Sequence, residues 1–257
     1  MPDRTILTPI SWLLDSGWLE QDVAVYRVRD DAEAVEAVLG GRASAAFIDP
    51  LVWARSRSRL RPVLRHALAI GPGGSDLLLL SDVRLDNLES VSGPTEIVGT
   101  NEEAAARTLV RDYYGVPQPL ALDDDSAPKG AHGVVIAGDK AMRAHNYPYV
   151  ESLARAWWVA TGGPWVRALA VLAANNEDDA PELVLRAASK LLAEESDSIA
   201  AQAARRSGGD EERWRTVVRA LSLTYGADER RSLAASFASA ARLRLCPPVE
   251  EVLLPRY

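Results

Sequence analysis

Three short stretches concentrate the residue types that do chemistry. The segment "GPGGSD", Gly71 to Asp76, is a glycine turn carrying a serine and an acid. It is no phosphate loop of the Walker type, because no Lys-Ser/Thr pair follows, and Asp76 stands where G-x-G-x-x-G needs its last glycine. The residue two after Ser75 is Leu77, so a nucleophile elbow fails as well. What remains is a hinge or pocket wall whose backbone, at Gly74 above all, approaches a ligand closely. The second stretch, "GTNEEAAARTLV", begins a helix at Gly99 and Thr100. Helix mouths hold anions, yet this one carries Glu102 and Glu103. Thr100 and Glu103 have capping-box spacing, in which the hydroxyl accepts from the third amide and the carboxylate returns to the cap N–H. The third kind of candidate is an acid closing an apolar run: Asp49 in "AAFIDP" and Asp139 in "VVIAGD". Open α/β folds place ligands at such strand ends.

Other chemistries find little support. His66, His132 and His145 have no metal-ligand spacing, so no metal site is expected; His145, in a loop, is the one candidate for a lone acid or base. The acidic run Asp123 to Asp125 reads as a solvated loop, since calcium needs spaced oxygens around a glycine turn. Cys246 is the sole cysteine, so no intramolecular disulfide forms. The formal charge of -7 over 257 residues argues against nucleic acid as a general partner, because phosphate contacts call for a basic face. A small anionic metabolite remains compatible, since a local arginine pocket can sit in an acidic whole. No run approaches the ~20 apolar residues of a membrane span, and the first residues lack the features of a secretory signal. The expected location is therefore cytoplasmic, with no membrane partner.

The elements positioning these residues alternate short apolar runs with helical periodicity, the mark of βα units and a largely parallel sheet. "TILTPI" reads as a strand, "SWLLDSGWLEQ" as a short helix, "VAVYRV" as a strand and "DDAEAVEAVLGG" as a capped helix. "ASAAFIDP" is a strand and "PLVWARSRS" a proline-started helix. "RPVLRHALAIGPGGSDLLLLSD" reads as two strands around the glycine turn. A second series follows: a helix over 101–114, strands in "PLALDD" and "GVVIAG", the helix "PYVESLARAWWVATGG" and the strand "WVRALAVLA". Three helices, 181–206, 210–225 and 228–244, close the chain, the first with an apolar stripe suited to packing or to a homodimer face. Trp157 and Trp158 lie on a helix that turns one to packing in the core and the other to the cleft. This order predicts two lobes, 1–81 with 164–257 and 82–163, with two crossings between them and a ligand cleft at the hinge.

Taken together, "ILTPIS", "GRASAAFIDPLVWAR", "GPGGSDLLLLS", "RTLVRDYYG", "VVIAGDKAM" and "WWVATGGPWVRALAV" resemble, in order and spacing, the menaquinone biosynthesis family of the futalosine pathway, chorismate dehydratase and its relatives. The resemblance implies a two-lobed α/β fold of the periplasmic-binding-protein type 2 kind, with mixed sheets, helices on both faces and a helical C-terminal segment. It also implies a hydro-lyase without a cofactor, eliminating water from chorismate to give 3-[(1-carboxyvinyl)oxy]benzoate. Non-catalytic binding of a small molecule, or a sister activity making dihydroxynaphthoate, is the alternative; His145 would serve as base in the latter. Carried onto this chain, the resemblance makes Ser11 and Ser75 carboxylate holders on lobe one, with Thr8 and Gly74 beside them. Thr100 and Asn101 would cap the ligand from lobe two, and Asp49 and Gly138–Asp139 would orient a hydroxyl or water. Ser11, Ser75 and Asp139 are the catalytic candidates. The chain departs from the family pattern at Ser11, where an asparagine is usual, at Asn101 and Glu102, where threonine-serine is usual, and at Ser152, where an aspartate is.

Overall fold

The computed structural model describes residues 5–19, 23–122, 127–144, 146–250 and 254. The elements run α1 (Thr8–Asp15), α2 (Asp31–Leu39), β1 (Ala46–Ile48), α3 (Pro50–Ser56), β2 (Leu60–Ile70), β3 (Leu77–Ser81), β4 (Ser90–Ser92) and α4 (Asn101–Thr108). They continue with β5 (His132–Ala137), α5 (Gly138–Arg143), β6 (Tyr149–Ser152), α6 (Leu153–Thr161), β7 (Trp165–Ala173), α7 (Ala180–Glu194), α8 (Ser196–Ser207), α9 (Glu211–Ala220), β8 (Leu221–Ser222) and α10 (Ala227–Arg242).

The strands form two four-stranded sheets, ordered β1-β7-β2-β8 and β4-β5-β3-β6. Apart from the parallel pair β4–β5, the ladders are antiparallel, which corrects the largely parallel sheet expected from the βα alternation. The chain leaves the first sheet after β2 and returns to it at β7, so spatial neighbours arrive from opposite directions. β3 pairs with β5 and β6; the strand counted with the first lobe therefore lies in the second sheet, and the crossing falls within Gly71–Asp76. There the Gly71 amide donates to Ala220 O at 2.8 Å, anchoring the turn to α9.

Several local expectations change for identifiable reasons. "TILTPI" is helical, a 3-10 turn over Thr5–Leu7 running into α1 with Pro9 in its first turn, where a missing N–H costs nothing. Ile6, Ile10 and Leu13, at helical spacing, are buried. "VAVYRV" contributes one bridge residue, Val28, and "PLALDD" one, Ala121, paired with Ser92 at the end of β4. The helix foreseen over 101–114 finishes as a π-helical turn, Leu109–Tyr113. Tyr149–Ser152 is a strand, with the helix beginning only at Leu153. The long helix 181–206 divides at Glu195, and Leu221–Ser222 leave the expected helix 210–225 to pair with β2. Asp123 to Asp125 lie outside the described residues.

β7 is the backbone of the first sheet, buried from Trp165 to Leu172. Ala168, Ala170 and Leu172 join the core that continues to Leu77, Leu79 and Val135 of the second sheet, while Val166, Leu169 and Val171 face α2, α3 and α10. Trp165 packs with the first of these sets, so the alternation changes phase between Trp165 and Ala168. The register shows why: Leu68 pairs with Ala168 but Ala69 with Val166. Arg167 is the extra residue of a β-bulge, a device that re-aims a side chain.

Candidate functional site between the two sheets

Arg167 turns into the junction where β7, the Gly71–Asp76 turn and α4 meet. Its guanidinium is 3% exposed and pairs with Asp76 through Nη1 and with Glu102 Oε1 through Nη2 at 2.9 Å. It also lies 4.6 Å from the centroid of Trp165, a cation–π distance. Burial disfavours the cation, but Asp76 and Glu102 more than offset it and raise the Arg167 pKa above the ordinary guanidinium value. The group is one cation with two carboxylates in a water-poor setting, where such pairs are strong but costly to assemble.

Capping chemistry brings the neighbours here. Asp49, fully buried after β1, caps α3 by accepting from Leu51 N at 2.7 Å through Oδ1. Its Oδ2 accepts from Asn101 N at 3.0 Å, tying the first turn of α4 to the first sheet. The Asn101 side chain donates to Val166 O at 2.8 Å. Asp76 O accepts from Gly138 N at 2.8 Å; Gly138 has φ 56, a conformation suited to glycine. Asp49, Asn101 and Gly138, three residues expected at the cleft, thus meet in one network with Asp76, Glu102 and Arg167.

The two glutamates have different fates. Thr100 Oγ1 accepts from Glu103 N at 3.4 Å, as a capping box requires, but Glu103 Oε2 returns to Gly99 N at 2.6 Å and not to the cap amide. The Thr100 amide is engaged by Ile97 O, as is its hydroxyl. Glu103 also pairs with Arg107 at 2.7 Å. Glu102 alone enters the junction, where it is an ion-pair partner across the fold as well as a negative charge at the positive helix end.

The remaining expected residues do not join this network. Ser75 is buried and spent on its own turn, donating to Leu77 O at 2.7 Å and accepting from Leu77 N at 3.0 Å. Thr8 accepts from Ser207 Oγ at 3.4 Å, and Ser11 from Arg27 Nη2 at 3.4 Å. Asp139 is exposed, 3.8 Å from Arg143. Gly74 and Ser75 instead line a cavity of ≈ 470 Å³ with Ser152, Arg155, Arg213 and Thr216. Ser152 caps α6, accepting from Arg155 N at 3.1 Å. His145 lies outside the described residues, and His132 contacts Ser90 and Ser92. Among the described residues no cluster of His, Cys, Asp and Glu is arranged to hold a metal. Sequence reasoning missed Asp76 and Arg167; the signal was a lone arginine inside the apolar run "WVRALAVLA".

Gly74 has a packing duty that the sequence did not reveal. A Cβ there would stand 2.7 Å from Thr216 O and 2.7 Å from Val217 Cα, both backbone atoms of α9. Gly74→Ala is expected to destabilise the fold by about 1–3 kcal/mol by overpacking, read as a lower urea midpoint. A neutral result would return Gly74 to a purely ligand-facing role.

The architecture is that of the periplasmic binding proteins. A structural-genomics target from Archaeoglobus fulgidus aligns at TM-score 0.64 with 12% identity, covering 95% of this chain and 96% of that one. The periplasmic aliphatic sulphonate-binding protein of Escherichia coli aligns at 0.59 with 11% identity, covering 98% and 87%. A Candida albicans gene product with the generic periplasmic-binding-protein fold aligns at 0.54 with 9% identity, covering 98% and 90%. Within that class the sequence is more specific: the menaquinone biosynthesis family model matches residues 50–242, and the chain belongs to that family. Its role therefore lies in menaquinone biosynthesis. No curated protein matches the chain. No helix among the described residues is long and apolar enough to cross a membrane.

Proposed function

We propose that the chain is a cytoplasmic chorismate dehydratase-like lyase of the futalosine route, with Arg167 as its carboxylate receptor. The observation carrying this reading is that Arg167 holds two carboxylates at once, Asp76 and Glu102, as a dicarboxylate substrate would require. Glu102 takes the place of one substrate carboxylate on Arg167 and draws α4 onto the first sheet. Substrate entering the opened junction displaces it, while Asn101, Asp49 and the Gly138 amide orient the ring. The displaced Glu102 then takes the ring proton beside the hydroxyl-bearing carbon. The C–H electron pair becomes a ring π bond, the C–O bond breaks, and the proton leaves with the hydroxyl as water. Ser11, Ser75 and Asp139, bound to local partners or exposed, have lesser parts in this scheme.

The test is turnover: chorismate incubated with purified protein loses its diene absorbance and yields an aromatic enolpyruvyl ether. Folded protein without turnover overturns the assignment. Glu102→Ser is expected to bind chorismate about tenfold more tightly, on the scale of one charge-assisted hydrogen bond, while turnover falls by about 10²–10⁴. Glu103→Val, whose carboxylate is bound by Gly99 N and Arg107 away from the junction, leaves affinity unchanged; equal effects from both would refute the scheme. A second reading, binding without catalysis, is favoured by the local use of the Ser75 and Thr100 hydroxyls. Its signature is a chorismate-dependent rise in melting temperature with no product.

A further inference from the structure

A larger cavity, ≈ 750 Å³, lies on the first sheet among residues of β2, α7 and the segment leading into α10. None of the residues of the Arg167 junction lines it. Arg65 and His66 both do. Consecutive residues of a regular strand point to opposite faces, so their shared cavity needs an explanation. The β2–β7 register breaks between Pro62 and Ala67, and Arg65 sits there at φ 62. A non-glycine residue in that region is strained, because its Cβ crowds the backbone. Tyr225 N, donating to Arg65 O at 2.9 Å, holds the kink, and the consequence is two adjacent polar side chains at one cavity.

Most charges around this cavity already have partners. Glu182 pairs with Arg186 at 2.7 Å, Glu229 accepts from Gly226 N at 2.9 Å, and Lys190 lies 3.9 Å from Glu194. The Arg65 guanidinium has no hydrogen bond or ion pair among the described residues. His66 is 7% exposed, and its Nδ1 lies 3.0 Å from Leu223 O. A carbonyl only accepts, so Nδ1 carries the proton and Nε2 is left as an acceptor, with no partner among the described residues. Burial lowers the His66 pKa, with Leu223 and Glu182 acting against it, which keeps the ring neutral at pH 7.

We propose that this cavity is a second ligand site for a small hydroxylated organic anion, with Arg65 taking its carboxylate or phosphate and His66 Nε2 accepting from its hydroxyl. The site is independent of the Arg167 junction, and the two readings stand or fall separately. Suitable probes are 4-hydroxybenzoate and glycerol 3-phosphate, which separate the two anion types. Benzoate lacks the donor and 4-hydroxybenzamide lacks the charge. Saturable shifts of the His66 imidazole resonances and calorimetric binding are expected for at least one hydroxylated anion, with at least about tenfold weaker binding of the matched compound lacking one group. Arg65→Gly relieves the left-handed strain, so the variant folds at least as well as the parent; it should nonetheless weaken the anion at least about tenfold while leaving chorismate turnover unchanged. His66→Phe should erase the preference for the hydroxyl. If neither hydroxylated anion shifts His66 at about 10 mM, well above a millimolar Kd, or if Arg65→Gly binds like the parent, the proposal is overturned.

Discussion

Arg167→Met lowers the unfolding free energy by about 3–5 kcal/mol, the usual cost of removing one partner from a buried ionic group. The loss arises less from the missing attraction than from what it leaves behind. Asp76 is 4% and Glu102 6% exposed, and without the guanidinium two neighbouring carboxylates face each other away from water. Two buried carboxylates left without their cation are the source of the loss. The decisive comparison is Arg167→Met with Asp76→Asn and Glu102→Gln together. Removing all three charges is expected to recover most of the loss, because uncharged groups of similar size avoid the desolvation that the triad had to offset. Urea denaturation of the single and triple variants reads both effects. A loss under about 1 kcal/mol in the single variant, in the range of an exposed pair, would mean that water reaches the junction and that Arg167 does not hold the sheets together.

Trp157→Ala is expected to cost about 3–5 kcal/mol through lost packing. Trp157 is 1% exposed, 6.1 Å centroid to centroid from Trp165, and its Nε1 donates to Ser232 Oγ of α10 at 2.8 Å. It therefore joins α6, β7 and α10 just beside the bulge that aims Arg167. Truncation removes an indole from the core and leaves the Ser232 hydroxyl without its donor. Trp157→Phe keeps much of the volume and isolates the hydrogen bond, with an expected cost of about 1–3 kcal/mol for the unsatisfied hydroxyl and the smaller ring. Trp158, 37% exposed on the next position of the helix, is a control whose replacement by alanine changes stability far less. Equal losses at 157 and 158 in thermal and urea denaturation would contradict the packing described.

The capped starts of α2, α3 and α4 were legible in the sequence. Asp30 accepts from Glu33 N at 2.8 Å, Asp49 from Leu51 N, and Thr100 from Glu103 N, each at a spacing that the sequence displays directly. The apolar run of β7 and the family were legible as well. The candidate site was legible as residue types and not as a grouping: the fold brings Asp49, Asn101 and Gly138 to the Arg167 junction, leaves Ser75 to its own turn and leaves Asp139 exposed. Glu103 closes its box on Gly99, one residue before the cap, a difference that only the bend of the backbone sets.

By itself, then, the sequence determined the capped starts of α2, α3 and α4 and the apolar run that becomes β7. These properties depend on residues within a few positions of each other, through capping hydrogen bonds and periodic burial. The tertiary structure alone decided the direction of the ladders, the sheet to which β3 belongs, and the partners of Arg167. Asp76 and Glu102 stand 91 and 65 residues from it along the chain. No local propensity encodes that encounter: it follows from a one-residue bulge in β7 and from α4 docking on β1 through Asp49. Buried charges are stable only where all partners converge, so the junction exists once the whole fold has closed around it.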